Sequence, residues 1–180
     1  MANLILNGST SGSVTLSSPA VSGTTTLTLP TTSGTVLTTT SPKTGNVIQV
    51  VNAVISSQSS TTGTSYVEST VTASITPTSS SSKILILISG YQRINAAGAS
   101  ISSTIYRNAS SLESTTLGMS YMYGNNTTLE FQGVLTWLDS PATTSSTAYK
   151  LYFKRGDAAG TAFVGQSLSS TSITLMEIAG

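Results

Sequence analysis

LEFQGVLTWL, residues 129–138, divides cleanly into two sets of side chains. Along an extended strand successive side chains point to opposite faces. Glu130, Gln132, Val134, Thr136 and Leu138 therefore share one face, and Leu129, Phe131, Gly133, Leu135 and Trp137 share the other. The second set is the heavier apolar one, so the stretch reads as a strand with one wet face. TAYKLYFKR, residues 147–155, repeats the pattern, with Tyr149, Leu151 and Phe153 opposed to Lys150, Tyr152 and Lys154. KILILIS, residues 83–89, breaks it, because branched aliphatics run unbroken from Ile84 to Ile88. A strand apolar on both faces is covered on both faces. One face meets the core, and the other meets a loop, the N-terminal segment or a neighbouring subunit.

Working outward, no segment carries a sustained helical period, and strand signals recur. The expected strands are Val47–Ile55, Tyr66–Ile75, Lys83–Ser89, Ser100–Arg107, Leu129–Leu138, Ala148–Arg155, Ala162–Val164 and Ser172–Ile178, with a weaker one near Ser111–Leu117. Turn-rich clusters separate them: SSQSSTTGTS, TPTSSSS, NAAGAS, YGNNT, DSPATTSS and GDAAGT. About nine short strands without helices predict an all-β chain, an antiparallel β-sandwich or jelly roll spanning residues 46–180.

Composition narrows the chemistry. Charged residues make up 7% of the 180, Ser and Thr more than a third, and the net charge is +1. Ordinary domains carry about 25% charge. An apolar fraction of 38% still supports a folded core. Near-neutrality gives no electrostatic footprint for nucleic acid or an anionic membrane. With no Cys and no His, disulfides, thiol catalysis and the commonest general base and metal ligand are excluded. The six acids, Glu68, Glu113, Glu130, Asp139, Asp157 and Glu177, are scattered, and no Asp-rich loop suggests a metal. The expectation is no enzyme, no cofactor and no metal. MANLILNG lacks a basic start and does not read as a signal peptide, and the longest apolar run is far too short for a spanning helix.

Residues 1–45 read differently. Gly12, Gly23, Gly34 and Gly45 fall every 11 residues, and no charged side chain precedes Lys43. Val14 and Leu16, Leu27 and Leu29, and Val36 and Leu37 occupy matching places in successive blocks. Each block reads as a tiny strand ended by a turn. At about 25 cal/mol per Å² of apolar burial, two such side chains return a few kcal/mol. Ordering the backbone costs about 1–2 kcal/mol per residue. A unit of this kind needs stacked neighbours or another surface. Free strand edges are normally blunted by charge, and these are not. The segment is therefore expected to be a docking arm, with Val14, Leu16, Leu27, Leu29, Val36 and Leu37 as its contact residues; the alternative is a flexible Ser/Thr linker, which would need no apolar alternation.

The stretch GSTSGSVTLSSPAVSGTTTLTLPTTSGTVLTT (Gly8–Thr39) resembles an N-terminal segment of tailed-bacteriophage virion appendage and decoration proteins. ASITPTSSSSKILILISG (Ala73–Gly90) and LTWLDSPATTSSTAYKLYF (Leu135–Phe153) resemble a β-domain of the same proteins, similar to trimeric C1q/TNF-like jelly rolls. The resemblance implies a homotrimeric virion protein with an N-terminal attachment segment, and it carries no catalytic residues. The shortness of the chain favours capsid decoration, cement or a head fibre over a tail fibre. Its implied partners are further copies of itself and the major capsid protein or another virion protein. Ile84, Ile86, Ile88, Phe131 and Trp137 are the expected subunit-interface or core residues.

Remaining motifs divide between bland and functional readings. Ser80-Ser81-Ser82-Lys83 matches S-x-x-K, but inside a serine run and without companion motifs the match is nearly free. Arg155-Gly156-Asp157 reads as a turn after a strand. Tyr121 and Tyr123, beside Gly124-Asn125-Asn126, suit strand-end packing, a subunit contact or a recognition tip for a host surface glycan. The alternative function is accordingly a tail-fibre or spike tip that binds such a glycan.

Overall fold

The structure is a computed structural model. It describes residues 4–7, 9–17, 20–21, 23–24, 26, 28, 31, 33, 42–125, 128–156, 159–166 and 169–180. The chain divides into two compact units, Met1–Val36 and Leu37–Gly180. All thirteen strands among the described residues pair antiparallel, and no helix is present among them.

Among the described residues, the first unit contains one hairpin. β1 (Leu4–Asn7) pairs with β2 (Ser13–Leu16), setting Leu4 opposite Leu16 and Leu6 opposite Val14. Gly12 enters β2 with φ 75°, a conformation that glycine adopts at little cost. The next glycine of the 11-residue period, Gly23, also has positive φ, 56°. Of the expected contact residues, Val14 and Leu16 lie in β2, whereas Leu27, Leu29, Val36 and Leu37 lie outside the described residues.

The second unit is a jelly roll. Its strands are β3 (Val47–Ile55), β4 (Ser59–Thr61), β5 (Val67–Ile75), β6 (Lys83–Ile94), β7 (Ala99–Arg107), β8 (Ser110–Ser111), β9 (Ser120–Gly124), β10 (Leu129–Asp139), β11 (Thr147–Arg155), β12 (Ala162–Val164) and β13 (Thr171–Ile178). Eight of them pair as a long ribbon folded on itself: β3 with β13, β5 with β11, β6 with β10, and β7 with β9. Rolling the ribbon brings β13 beside β6 and β11 beside β7. The result is two facing sheets. Sheet 1 runs β3-β13-β6-β10, and sheet 2 runs β5-β11-β7-β9. Short β4 and β12 extend sheet 1 along the far half of β6, and β8 extends sheet 2.

The core lies between the sheets. Ile84, Ile86, Ile88, Leu135, Ile173 and Leu175 from sheet 1 meet Val71, Ile75, Ile101, Ile105, Tyr149, Leu151 and Phe153 from sheet 2. Phe131 and Trp137 pack partly buried against this cluster. Two polar links cross it. Ser103 donates to Gln92 Oε1 at 2.7 Å, and Gly133 leaves room for the Gln92 amide, since a Cβ there would collide with it. At another place Asp139, at the end of β10, accepts from Tyr149 Oη at 2.7 Å and pairs with Arg107 at 3.0 Å. Burial, then the Asp139 carboxylate, pushes the Tyr149 hydroxyl far above the ordinary phenol range.

Three expectations need correction. KILILIS forms only the first half of β6, which continues to Ile94. SSQSSTTGTS is not all connector, because Ser59–Thr61 is an edge strand paired with β12. The strand expected near Ser111–Leu117 shrinks to Ser110–Ser111, because the Glu113 side chain accepts from Thr115 N at 2.9 Å and turns the chain. Asp157 of the Arg155-Gly156-Asp157 turn lies outside the described residues, as does Asn126.

Candidate functional site

Three surfaces invite contact: the hairpin of the first unit and the two outer faces of the jelly roll. In the hairpin, Leu4, Leu6, Val14 and Leu16 share one face, since each is cross-strand to another and two residues from the next. All four are more than half exposed. A lone two-stranded hairpin is at best marginally stable in water, so this face has apolar area to give to a partner.

The outer face of sheet 1 follows from the parity of β6. With Ile84, Ile86 and Ile88 pointing into the core, Leu85 and Leu87 must point outward. Register then builds rows across four strands. Val50, Met176, Leu85 and Leu138 form one row, and Asn52, Thr174, Leu87 and Thr136 the next. Val54, Ser172, Ser89 and Val134 form the third. Val50, Val54, Val134 and Leu138 are 51–64% exposed, while Leu85, Leu87 and Met176 are half-buried in the middle. The polar members satisfy one another in part, as where Asn52 Nδ2 donates to Thr174 Oγ1 at 2.8 Å. None of the twelve is charged. Charge begins only beyond the rows, with Lys83 on one side and the Arg93–Glu130 pair, 3.8 Å apart, on the other.

The outer face of sheet 2 is built oppositely. Tyr106 and Tyr152 stack with ring centres 3.8 Å apart. Glu68 accepts from Lys150 at 2.9 Å and from Tyr152 Oη at 2.9 Å. The Lys150 ammonium, then the Tyr152 hydroxyl, holds the Glu68 carboxyl below the usual carboxylate range. Thr70, Thr72 and Ser74 complete a hydroxyl-rich β5 edge. Further along, Lys154, Ser102 and Tyr121 stand in one row across β11, β7 and β9. Beside that row is a cleft of about 160 Å³ lined by residues including Lys154, Arg155, Tyr121, Ser100, Ser102 and Leu117.

The expected site residues are therefore separated by the fold. Ile84, Ile86 and Ile88 all face the core, and Phe131 and Trp137 pack against it. The outward-facing apolar members Leu85, Leu87, Val50, Val54 and Met176 were not singled out in the sequence, although strand parity alone assigns Leu85 and Leu87 outward. Tyr121 and Tyr123 are about half exposed on edge strand β9, and the cations that accompany them, Lys154 and Arg155, come from β11. Among the described residues, no group of three or more acidic side chains is placed to hold a metal ion. No helix is long and apolar enough to cross a membrane among them.

A two-sheet jelly roll with one outer face whose central rows are uncharged and rich in aliphatics defines the class of this chain. No family model and no curated protein matches it. Among solved structures, it is similar to the infectious bursal disease virus VP2 subviral particle, with 14% identity and a TM-score of 0.38 over 74% of this chain. It is also similar to the T=1 particles derived from infectious bursal virus, with 12% identity and a TM-score of 0.34 over 74% of this chain. The chain spans 39% and 37% of those chains. The fold assignment rests on the strand order and register given above.

Proposed function

We propose that this chain is a structural protein of a virion, of the tailed-bacteriophage kind that its N-terminal segment resembles. In this reading it is a homotrimer that decorates or cements the capsid surface, or forms a head fibre, and its arm attaches it to the major capsid protein or another virion protein. The observation that carries the reading is the arm. Its hairpin gathers Leu4, Leu6, Val14 and Leu16 on one open face, in a segment without a charged side chain before Lys43. Full burial of an aliphatic side chain of that size is worth about 1.5–3 kcal/mol, so covering four of them by a shell protein would hold the arm in place. Absence of charge removes the desolvation penalty that docking would otherwise incur.

The outer face of sheet 1 supports the trimer. A cyclic assembly can bring the Leu85–Leu87 rows of each copy against its neighbours, and the missing charge suits the centre of an obligate interface. The test is removal of residues 1–42. The shortened protein is expected to remain trimeric and to lose attachment to purified particles that lack the native protein. Undiminished attachment would overturn the arm's role.

A further inference from the structure

We infer that the cleft beside β9 is a binding site for an acidic saccharide, a sugar bearing a carboxylate. The inference stands on sheet 2 alone and does not depend on the virion reading. Lys154 and Arg155 supply the charge, and among the described residues neither makes an ion pair. Both are held in place. The Lys154 ammonium lies 4.7 Å from the centre of the Tyr66 ring, and Arg155 Nε donates to Thr62 O at 2.9 Å. A cation already braced loses less freedom when it meets an anion.

The sugar specificity comes from the groups around those cations. Tyr121 and Tyr123 project from the same face of β9, and each is about half exposed. An exposed tyrosine offers an apolar ring face for the C–H surface of a pyranose and a hydroxyl for its oxygens. Ser100 and Ser102 line the floor of the cleft. Gly156 keeps that floor open, because a Cβ there would collide with the Ser100 hydroxyl, and its amide donates to Ser100 O at 2.8 Å. The volume of about 160 Å³ is small beside the about 300–1,000 Å³ of a common small-molecule pocket. It suits one terminal sugar with the rest of a chain passing over Tyr123. Such ends occur on acidic polysaccharides of cell surfaces. A membrane headgroup or nucleic acid would need a broad basic surface, and a net charge of +1 does not provide one.

The test is calorimetric titration of the full-length protein with trigalacturonate and 3′-sialyllactose, with lactose and triglutamate as controls. An acidic sugar is expected to bind about tenfold or more tightly than either control, and the affinity is expected to fall with added salt. Lys154→Gln and Tyr121→Ala should each weaken binding about tenfold, while Tyr121→Phe should keep most of it. Equal binding of triglutamate would mean a general anion site, and equal binding of lactose would mean a neutral-sugar site. Either result would overturn the inference, as would no heat from either acidic sugar at about 10 mM. If Lys154→Gln fails to fold, Tyr121→Ala on its exposed edge strand decides, and unchanged affinity in that variant counts against the site.

Discussion

Sheet 1 turns Val50, Leu85, Leu138 and Met176 to the outside, whereas sheet 2 turns Glu68, Lys150, Tyr152 and Lys154 outward. Both sheets contribute alternating strands to the same core, and both belong to one folded ribbon. The core therefore explains neither outer face. On sheet 2 the usual alternation of antiparallel strands holds, apolar inside and polar outside. On sheet 1 the alternation fails at β6 and at its partner positions, and the surplus is apolar. A strand that keeps branched aliphatics on its outer side retains a surface that water disfavours, and a contiguous exposed patch of that kind marks an interface.

The largest expected effect breaks the asymmetry directly. Leu87→Glu places a carboxylate at the centre of the three rows on sheet 1. If copies of the chain cover this face, the assembly should fall apart to single chains, because an unpaired buried charge costs about 3–5 kcal/mol. The melting temperature of the isolated chain should change little, since Leu87 points away from the core. The same change at Thr72 on sheet 2 should leave assembly intact. Size-exclusion chromatography with light scattering reads both.

A smaller effect probes what the two faces share. Gly133→Ala drives a methyl group into the Gln92 amide and disturbs the Gln92–Ser103 link between sheets. Overpacking of this sort costs about 1–3 kcal/mol, and chemical denaturation should place the loss in that range. Mild variants that still fold should weaken both faces alike, which separates core damage from interface damage.

Glu177 gives a third, pH-dependent handle on sheet 1. It is fully buried on β13, where burial alone would raise its pKa. Hydrogen bonds from Gln49 at 2.6 Å and from the Thr78 amide and hydroxyl, each at 2.7 Å, outweigh burial and hold it below the usual carboxylate range. A carboxyl whose folded pKa is depressed stabilises the fold above its unfolded pKa, and that contribution is lost as pH falls through the folded value. Stability should therefore drop below about pH 4.3, the ordinary glutamate value, and Glu177→Gln should flatten the drop. The substitution should cost about 2 kcal/mol at neutral pH through its misfitted hydrogen bonds. Glu68→Gln on the outer face of sheet 2, where salt and water screen its partners, should move the melting temperature by about 2 °C or less.

How much of this was legible in the sequence follows the same division. Val47–Ile55 and Ala162–Val164 match their strands end to end, and LEFQGVLTWL and TAYKLYFKR present the expected faces, because core alternation is written in large side chains. The far half of β6 was hidden because Gly90 and Gln92 interrupt its inward aliphatics before Ile94 restores them. β4 and β9 were hidden because a short edge strand needs only a partner's free backbone groups, and Ser59-Ser60-Thr61 carries no apolar signal. KILILIS announced a doubly covered strand, but the rows that flank Leu85 and Leu87 depend on register with β3, β10 and β13, which are distant in sequence. The cleft was invisible for the same reason, since Tyr121 and Lys154 meet only through β7.

The central claim is that the open apolar face of sheet 1 is closed by further copies of this chain. Sedimentation equilibrium of the unaltered full-length protein at about tens of micromolar tests it most directly. The account predicts a particle of three times the 18.4 kDa chain mass. A single species at 18.4 kDa, with Leu85 and Leu87 left facing water, would contradict it.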